Sequence, residues 1–267
     1  MGSENQHVRK PDPVVLAFCA LTLISCLGAA GQQARQRAKD MVCLANLQQW
    51  GVLFGAYTDD HDGNFNPGWN VGETTLWMNA LRPYYQDQWS LLLCPAATEM
   101  ADNGTRSGTF SAWYRNTTTP GGGTHRYVSS YGINSWTNCM TYDRGWKQWE
   151  WFWRTTRDVQ GTSAIPVFAD STWHDAWPTE TDGPIDQPFG FGWGNMGTTH
   201  EMNHFCIVRH DGSVNVLFMD WSARAVGLKE LWTLKWYRRF DTAGPWTRAG
   251  GVQPNDWPAW MRGFKDY

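Results

Sequence analysis

Residues 13–60 read PVVLAFCALTLISCLGAAGQQARQRAKDMVCLANLQQWGVLFGAYTDD. The run from Pro13 to Gly31 carries no charge, and the next proline after Pro13 is Pro67. An apolar segment that continues without a breaker into an amphipathic one predicts a single long helix. Nineteen residues at a helical rise span about 28 Å, close to the hydrocarbon thickness of a thin bilayer. The expected organisation is a cytoplasmic leader over 1–12, a transmembrane anchor over 13–31, an amphipathic stalk over 32–59 and a globular domain over 60–267. The short leader, with His7, Arg9 and Lys10, favours an N-in orientation. The domain is then expected in the cell envelope, anchored in the inner membrane and facing the periplasmic or extracellular side. A cleaved signal peptide is one alternative. Leu23-Ile24-Ser25-Cys26 also fits a lipoprotein cleavage box, which would lipidate Cys26.

Along the second half of the run, Ala34, Ala38, Met41, Val42 and Ala45, with Leu44, Leu47 and Phe54, recur at three- and four-residue steps. They form an apolar stripe suited to packing on a sheet. Arg35, Lys39, Asp40, Gln48 and Gln49 take the other side. The helix should stop in the turn chemistry of Thr58 to Gly63.

Beyond Asn64 the pattern is of short elements between Gly, Pro and Asn. Leu76 to Tyr85 reads as a short helix, Val128 to Ile133 and Ile165 to Ala169 as strands, and 143–158 as a Trp-laden helix. Residues 101–124 and 177–199 read as loops. Phe205 to His210, then Asp211-Gly212, then Val214 to Met219 predicts a β-hairpin, because Asp-Gly between two β-rich runs favours a tight turn. A second turn is expected at Asp220 to Ala223, a strand at Arg224 to Val226 and a short helix at Leu228 to Phe240. The fold class is α+β, a long N-terminal helix packed on an antiparallel sheet with long loops.

A net charge of −3 gives no electrostatic case for a nucleic-acid partner. The 19 tryptophans among 267 residues are roughly five times ordinary usage, so aromatic groups fill much of the core. The excess also suits a polysaccharide partner, since flat aromatic faces stack on sugar rings. Trp149, Trp151 and Trp153 are the candidate contacts, because their even spacing would place them on one face if that segment were a strand. Four of the six cysteines, Cys43, Cys94, Cys139 and Cys206, follow the apolar run. In an exported domain they suggest two disulfides, with Cys43–Cys94 and Cys139–Cys206 favoured, against buried free thiols.

His200-Glu201-Met202-Asn203-His204 matches the zinc-hydrolase string HExxH. That motif needs a helix to bring both histidines onto one metal. Here Gly and Thr residues precede it and a strand is expected to follow, so coincidence is the favoured reading. Asp59, Asp60 and Asp62 around Gly63 suggest an irregular calcium site, although no glutamate closes a twelve-residue loop. Asp170, His174 and Asp175 form a further polar cluster, read as loop hydrogen bonding. No phosphate loop, dinucleotide fingerprint or Gly-x-Ser-x-Gly string occurs.

Several strings resemble the pseudopilin-like, prepilin-type proteins of type II secretion systems, in the form expanded in planctomycete-type bacteria. They are Ala38 to Gln49 followed by Tyr57 to Gly63, then Leu93-Cys94-Pro95, Ser130 to Asn134 and Pro166 to Asp170. The last and most specific is the block from Arg209 to Trp221 and on through LKELWTLKWYRRFD. The resemblance covers about residues 31–267. It implies a type IV pilin-like fold, no enzymatic activity, and other pseudopilin subunits or the secretion machinery as partners. Leu21 to Ser25 stands where such proteins carry a processed Thr-Leu-x-Glu string, with Ser25 in place of the acid. Read together, these features predict a non-enzymatic, membrane-anchored envelope or surface-display protein without a cofactor, calcium apart. The alternatives are a Trp-rich glycan-binding protein and a zinc hydrolase.

Overall fold

The structure, a computed structural model, describes residues 13–100, 108–186 and 200–267, with side chains from Ala30 onward. Helix α1 runs Pro13–Asp60. Its buried side chains are Cys43, Leu47, Trp50, Phe54 and Tyr57, whereas Met41, Val42 and Val52 are exposed. Steps of four, three, four and three residues keep the buried set on one helical face. The expected stripe through Met41, Val42 and Ala45 is thus rotated, because the bulk of Trp50 and Phe54 decides which face turns inward. The helix ends as expected: the N–H groups of His61 and Gly63 both return to the Thr58 carbonyl, at 3.1 and 2.7 Å.

The membrane-anchor-plus-stalk, type IV pilin-like architecture is corrected. Among the described residues no helix is long and apolar enough to cross a membrane. From 30 to 60 the helix carries Arg35, Arg37, Lys39, Asp40, Asp59 and Asp60, far too many charges for a hydrocarbon core. The side chains of 13–29, on which the anchor reading rested, lie outside the described residues, as do 1–12, 101–107 and 187–199. The boundary at residue 60 also moves. Lys39–Tyr267 is one compact unit, so the helix from Lys39 onward belongs to the domain.

Five strands form the main sheet, in the order β6-β4-β5-β7-β8. They are β4 (Tyr131–Asn134), β5 (Pro166–Asp170), β6 (Asp175–Ala176), β7 (Ser213–Phe218) and β8 (Ala223–Gly227). All neighbours are antiparallel except β4 and β6. A smaller sheet joins β1 (Glu99–Met100), β2 (Ser111–Thr118) and β3 (Thr124–Ser129). The hairpin expected from Phe205 is displaced by one strand. Both edges of β7 are taken, by β5 and β8, so 205–209 has no ladder to join. The Asp-Gly turn itself is present, with φ of +48° at Asp211 and +83° at Gly212, and it closes a single bridge between His210 and Ser213. The hairpin that forms is β7–β8; the turn expected at Asp220 to Ala223 lies between these strands, with Ala223 already the first residue of β8. Neither 143–158 nor 228–240 forms an α-helix; each contributes one 3₁₀ turn, at Trp149–Trp151 and Leu228–Thr233.

The tryptophan excess is mostly core. Trp50, Trp77, Trp113, Trp136, Trp232 and Trp236 are almost wholly buried. Each donates its indole N–H to a backbone carbonyl at 2.7–2.9 Å, which removes the cost of burying that polar atom. Trp50 sits at the junction of helix and sheet, 5.1 Å from Phe168 of β5 and edge-on to Trp77 at 5.4 Å. The β7–β8 turn crosses α1 at Gly51, where an added Cβ would lie 2.9 Å from the Trp221 carbonyl oxygen.

Candidate metal centre

Four elements converge beneath α1. The helix contributes Cys43, the segment after it Cys94, the end of β5 Asp170, and the Asp-Gly turn His210. All four are buried, with at most 4% exposure, and their ligand atoms lie within 4.8 Å of one another. Asp170 Oδ2 is 3.4 Å from Cys43 Sγ and 3.0 Å from His210 Nε2. Cys94 Sγ is 3.4 Å from the same Nε2. A tetrahedral zinc with sulfur at about 2.3 Å and nitrogen or oxygen at about 2.0 Å has edges of roughly 3.3–3.8 Å. The three contacts of 3.0, 3.4 and 3.4 Å are of that size.

The surroundings orient each ligand. Asp40, one turn before Cys43, lies 2.5 Å from His210 Nδ1. That contact fixes the ring and directs Nε2 inward, as a carboxylate behind a ligating histidine does. Arg209 Nη1 donates to Asp170 Oδ1 at 2.9 Å and to the Ser130 carbonyl at 2.7 Å, while its Nε donates to the Thr109 carbonyl at 2.6 Å. Oδ1 is thereby occupied, while Oδ2 faces Cys43 and accepts from the Asn215 N–H at 3.1 Å. The Tyr131 hydroxyl contacts Cys43 Sγ at 3.3 Å. The Cys94 N–H donates to Ser130 Oγ at 2.6 Å.

The electrostatics match this arrangement. Burial pushes the Asp170 carboxyl up, but His210 and Arg209 outweigh it and hold the group well below the ordinary carboxylate range. Burial disfavours a charged His210, yet the Asp170 carboxylate raises it to about 11. Burial also pushes the Cys94 thiol up; hydrogen bonds with Cys43 and His210 and the charge of Arg209 draw it below its usual value. Cys43 moves the other way, raised first by burial and then by Cys94 and Asp170. One thiol is thus poised to ionise, and the proton on His210 Nε2 is the one that a metal ion would displace.

The predicted sites fare differently. All four cysteines are free thiols. Cys43 and Cys94 are brought together, as the expected pairing required. Cys139 is half-buried, with its N–H on the Asn66 carbonyl, whereas Cys206 is sealed two residues beyond the 3₁₀ turn Glu201–His204, where burial alone pushes its thiol up. Asp59, Asp60 and Asp62 do not converge: Asp60 accepts from the Tyr84 hydroxyl and exposed Asp62 pairs with Arg157 at 3.4 Å. Among the described residues the four-residue cluster is the one group of three or more metal-ligating side chains.

The HExxH string forms only the 3₁₀ turn Glu201–His204. Glu201 accepts from the Trp177 N–H, and buried His204 contacts Thr172 Oγ1 at 3.1 Å, so its residues serve separate partners. The cluster of Asp170, His174 and Asp175 splits. Asp170 joins the cluster with Cys43, Cys94 and His210, while Asp175 holds His174 at 3.0 Å and accepts from Trp69 Nε1 at 2.7 Å. Trp149 and Trp153 face one cleft, whereas Trp151 turns toward Trp136 and Tyr237. The 3₁₀ turn breaks the alternation that a strand would have given.

Sequence reasoning missed Asp40, Arg209 and the joint role of Asp170 and His210. The ligands are 51, 76 and 40 residues apart along the chain (43 to 94, 94 to 170, 170 to 210), so no spacing motif exists to find.

Comparison with protein-family models, with curated proteins and with solved structures finds no match. The pseudopilin and type II secretion assignment, and the membrane and transmembrane terms that went with it, are corrected accordingly: neither a family match nor a membrane-crossing helix among the described residues supports them.

Proposed function

We propose that this chain is a non-enzymatic α+β module whose long helix is locked to its sheet by a closed zinc centre of Cys43, Cys94, Asp170 and His210. The observation that carries this reading is the set of four buried ligand atoms within 4.8 Å of one another, with three contacts of 3.0–3.4 Å among them. Structural zinc sites use four protein ligands, whereas catalytic ones keep a position open to water and substrate. Here all four ligands are protein side chains and all are buried. The ion would join α1 to the main sheet beside Asp40, near the start of the compact unit. A module built this way holds its helix rigidly relative to the domain surface, which suits display or binding.

The test is metal content of the full chain purified under reducing conditions without chelators. One zinc per chain is expected, and cobalt substitution should give the visible spectrum of a tetrahedral site with two thiolates. Cys94→Ala and Asp170→Asn should each lower the metal content while a native near-ultraviolet signal persists in excess zinc. Two results would overturn the proposal. One is sub-stoichiometric metal with no cobalt spectrum. The other is a native Cys43–Cys94 disulfide, seen as a mass two hydrogens lower that reduction restores.

A further inference from the structure

The structure assigns a second site, far in character from the buried thiols: we infer that the cleft between Trp149, Arg154 and Arg238 binds a saccharide carrying a carboxylate. The cleft is about 260 Å³ and is lined by Trp149, Glu150, Phe152, Trp153, Arg154, Thr155 and Arg238. That volume suits one or two sugar rings rather than a peptide or an extended polymer.

Arg154 is the central residue. Its φ is +65°, a left-handed conformation that L side chains adopt at a cost and that glycine adopts freely. The backbone is pinned there from both sides. Arg154 N–H donates to the Thr137 carbonyl at 3.2 Å, and its own carbonyl accepts from Phe65 N–H at 2.9 Å. Glycine would satisfy the same two bonds without strain, so the arginine side chain needs a reason to be there. Packing supplies little of one. The guanidinium lies over Trp149, 4.8 Å from the ring, and its Nε is buried with no hydrogen-bond partner. An unsatisfied donor of this kind is costly, so the arginine is kept here against both backbone strain and an unmet hydrogen bond. Strain and an unsatisfied group on one residue at the rim of a cleft are the usual signature of a binding position.

The rest of the lining defines the ligand. Arg238 donates Nε to the Phe152 carbonyl at 2.9 Å and Nη2 to the Trp153 carbonyl at 3.2 Å, which fixes its plane at the cleft wall. Two arginines lining one cleft suit a carboxylate, which accepts a charge-assisted hydrogen bond from each guanidinium. Trp149 is 39% exposed and offers an aromatic surface to an apolar ring face. Exposed Glu150 accepts hydrogen bonds from hydroxyl groups and repels ligands that are anionic throughout, such as polyphosphates. Carboxylate, apolar face and hydroxyls together describe a uronic acid residue.

The experiment is titration of the full chain with uronate oligosaccharides, read by calorimetry and tryptophan fluorescence. A neutral glucan oligomer and inorganic phosphate are the other two arms. Saturable uronate binding is expected, with at least tenfold weaker binding to the glucan and to phosphate. Arg154→Gly is the decisive variant. It relieves the backbone conformation, so the melting temperature should hold, while uronate affinity falls at least tenfold. Trp149→Ala should lower affinity similarly with the fold intact. Absence of uronate binding, equal binding of the glucan or phosphate, or unchanged affinity in folded Arg154→Gly overturns the inference. Zinc content is unaffected in every arm, so failure here is distinguishable from failure of the metal centre.

Discussion

Glu201 and His204 sit three residues apart in one 3₁₀ turn, and burial moves their protonation in opposite directions. Desolvation raises the Glu201 carboxyl from 4.5 to about 7, against a lowering contribution from the Trp177 N–H. Desolvation lowers the His204 imidazole from 6.5 to about 4. For Glu201 the folded chain keeps a proton that the unfolded chain releases. Its contribution is intact below 4.5 and is lost as pH rises toward 7. For His204 the unfolded chain takes the proton first. Its contribution is intact above 6.5 and is lost as pH falls toward 4. Each gap corresponds to about 3 kcal/mol at roughly 1.4 kcal/mol per pH unit. Solvent reaching the half-buried Glu201 reduces its share to about 2 kcal/mol. The two slopes nearly cancel in the wild-type protein between pH 4.5 and 6.5. Glu201→Gln removes one of them and keeps an acceptor for the Trp177 N–H. Urea unfolding followed by tryptophan fluorescence should show the variant gaining about 2 kcal/mol over wild type between pH 4.5 and pH 7.5. Lys147, Asp175 and Asp182 face Glu201 and keep their other partners in the variant, so desolvation, the first cause of the Glu201 shift, dominates the difference. A variant-minus-wild-type difference that stays flat across this range would refute the reasoning.

Asp40→Asn keeps the helix but weakens the group behind His210, so zinc affinity measured against a competing chelator should fall about 10–100-fold while uronate binding is unchanged. Gly51→Val drives a branched side chain into the Trp221 carbonyl at the helix–turn crossing and should cost about 1–3 kcal/mol in urea unfolding.

How much of this was legible beforehand follows from the range of each interaction. The helix end at Asp60, the turns at Asp211-Gly212 and Asp220 to Ser222, and the strand at Pro166–Asp170 rest on neighbouring residues, and the residue pattern exposes them directly. The rotation of the α1 stripe depends on something nonlocal. Met41 and Val42 are as apolar as Leu47, but only the face bearing Trp50 meets Phe168 and Trp77. The displaced hairpin has the same origin. Residues 205–209 have strand composition, and whether they become a strand depends on whether β7 has a free edge, which 166–170 and 223–227 decide.

The metal centre lies at the far end of this scale. Each ligand looked ordinary in its local setting: a helix cysteine, a cysteine before a proline, an aspartate ending a strand, a histidine before a turn. The one literal metal motif in the chain, at His200 to His204, is the place where metal chemistry is absent from the geometry, because a 3₁₀ turn cannot set two histidines at i and i+4 on one helical face. What could have directed attention to the buried cluster is the Arg209-His210 pair. An arginine and a histidine entering a core beside Cys206 and Ile207 need buried carboxylates, and Asp170, at the end of a wholly apolar strand, needs buried cations. Matching those demands across the chain yields Asp170 with Arg209 and His210, and the β4–β5 register then brings Asp170 beside Tyr131, which touches Cys43. Counting unmet charges in predicted core segments therefore finds this cluster where motif spacing does not.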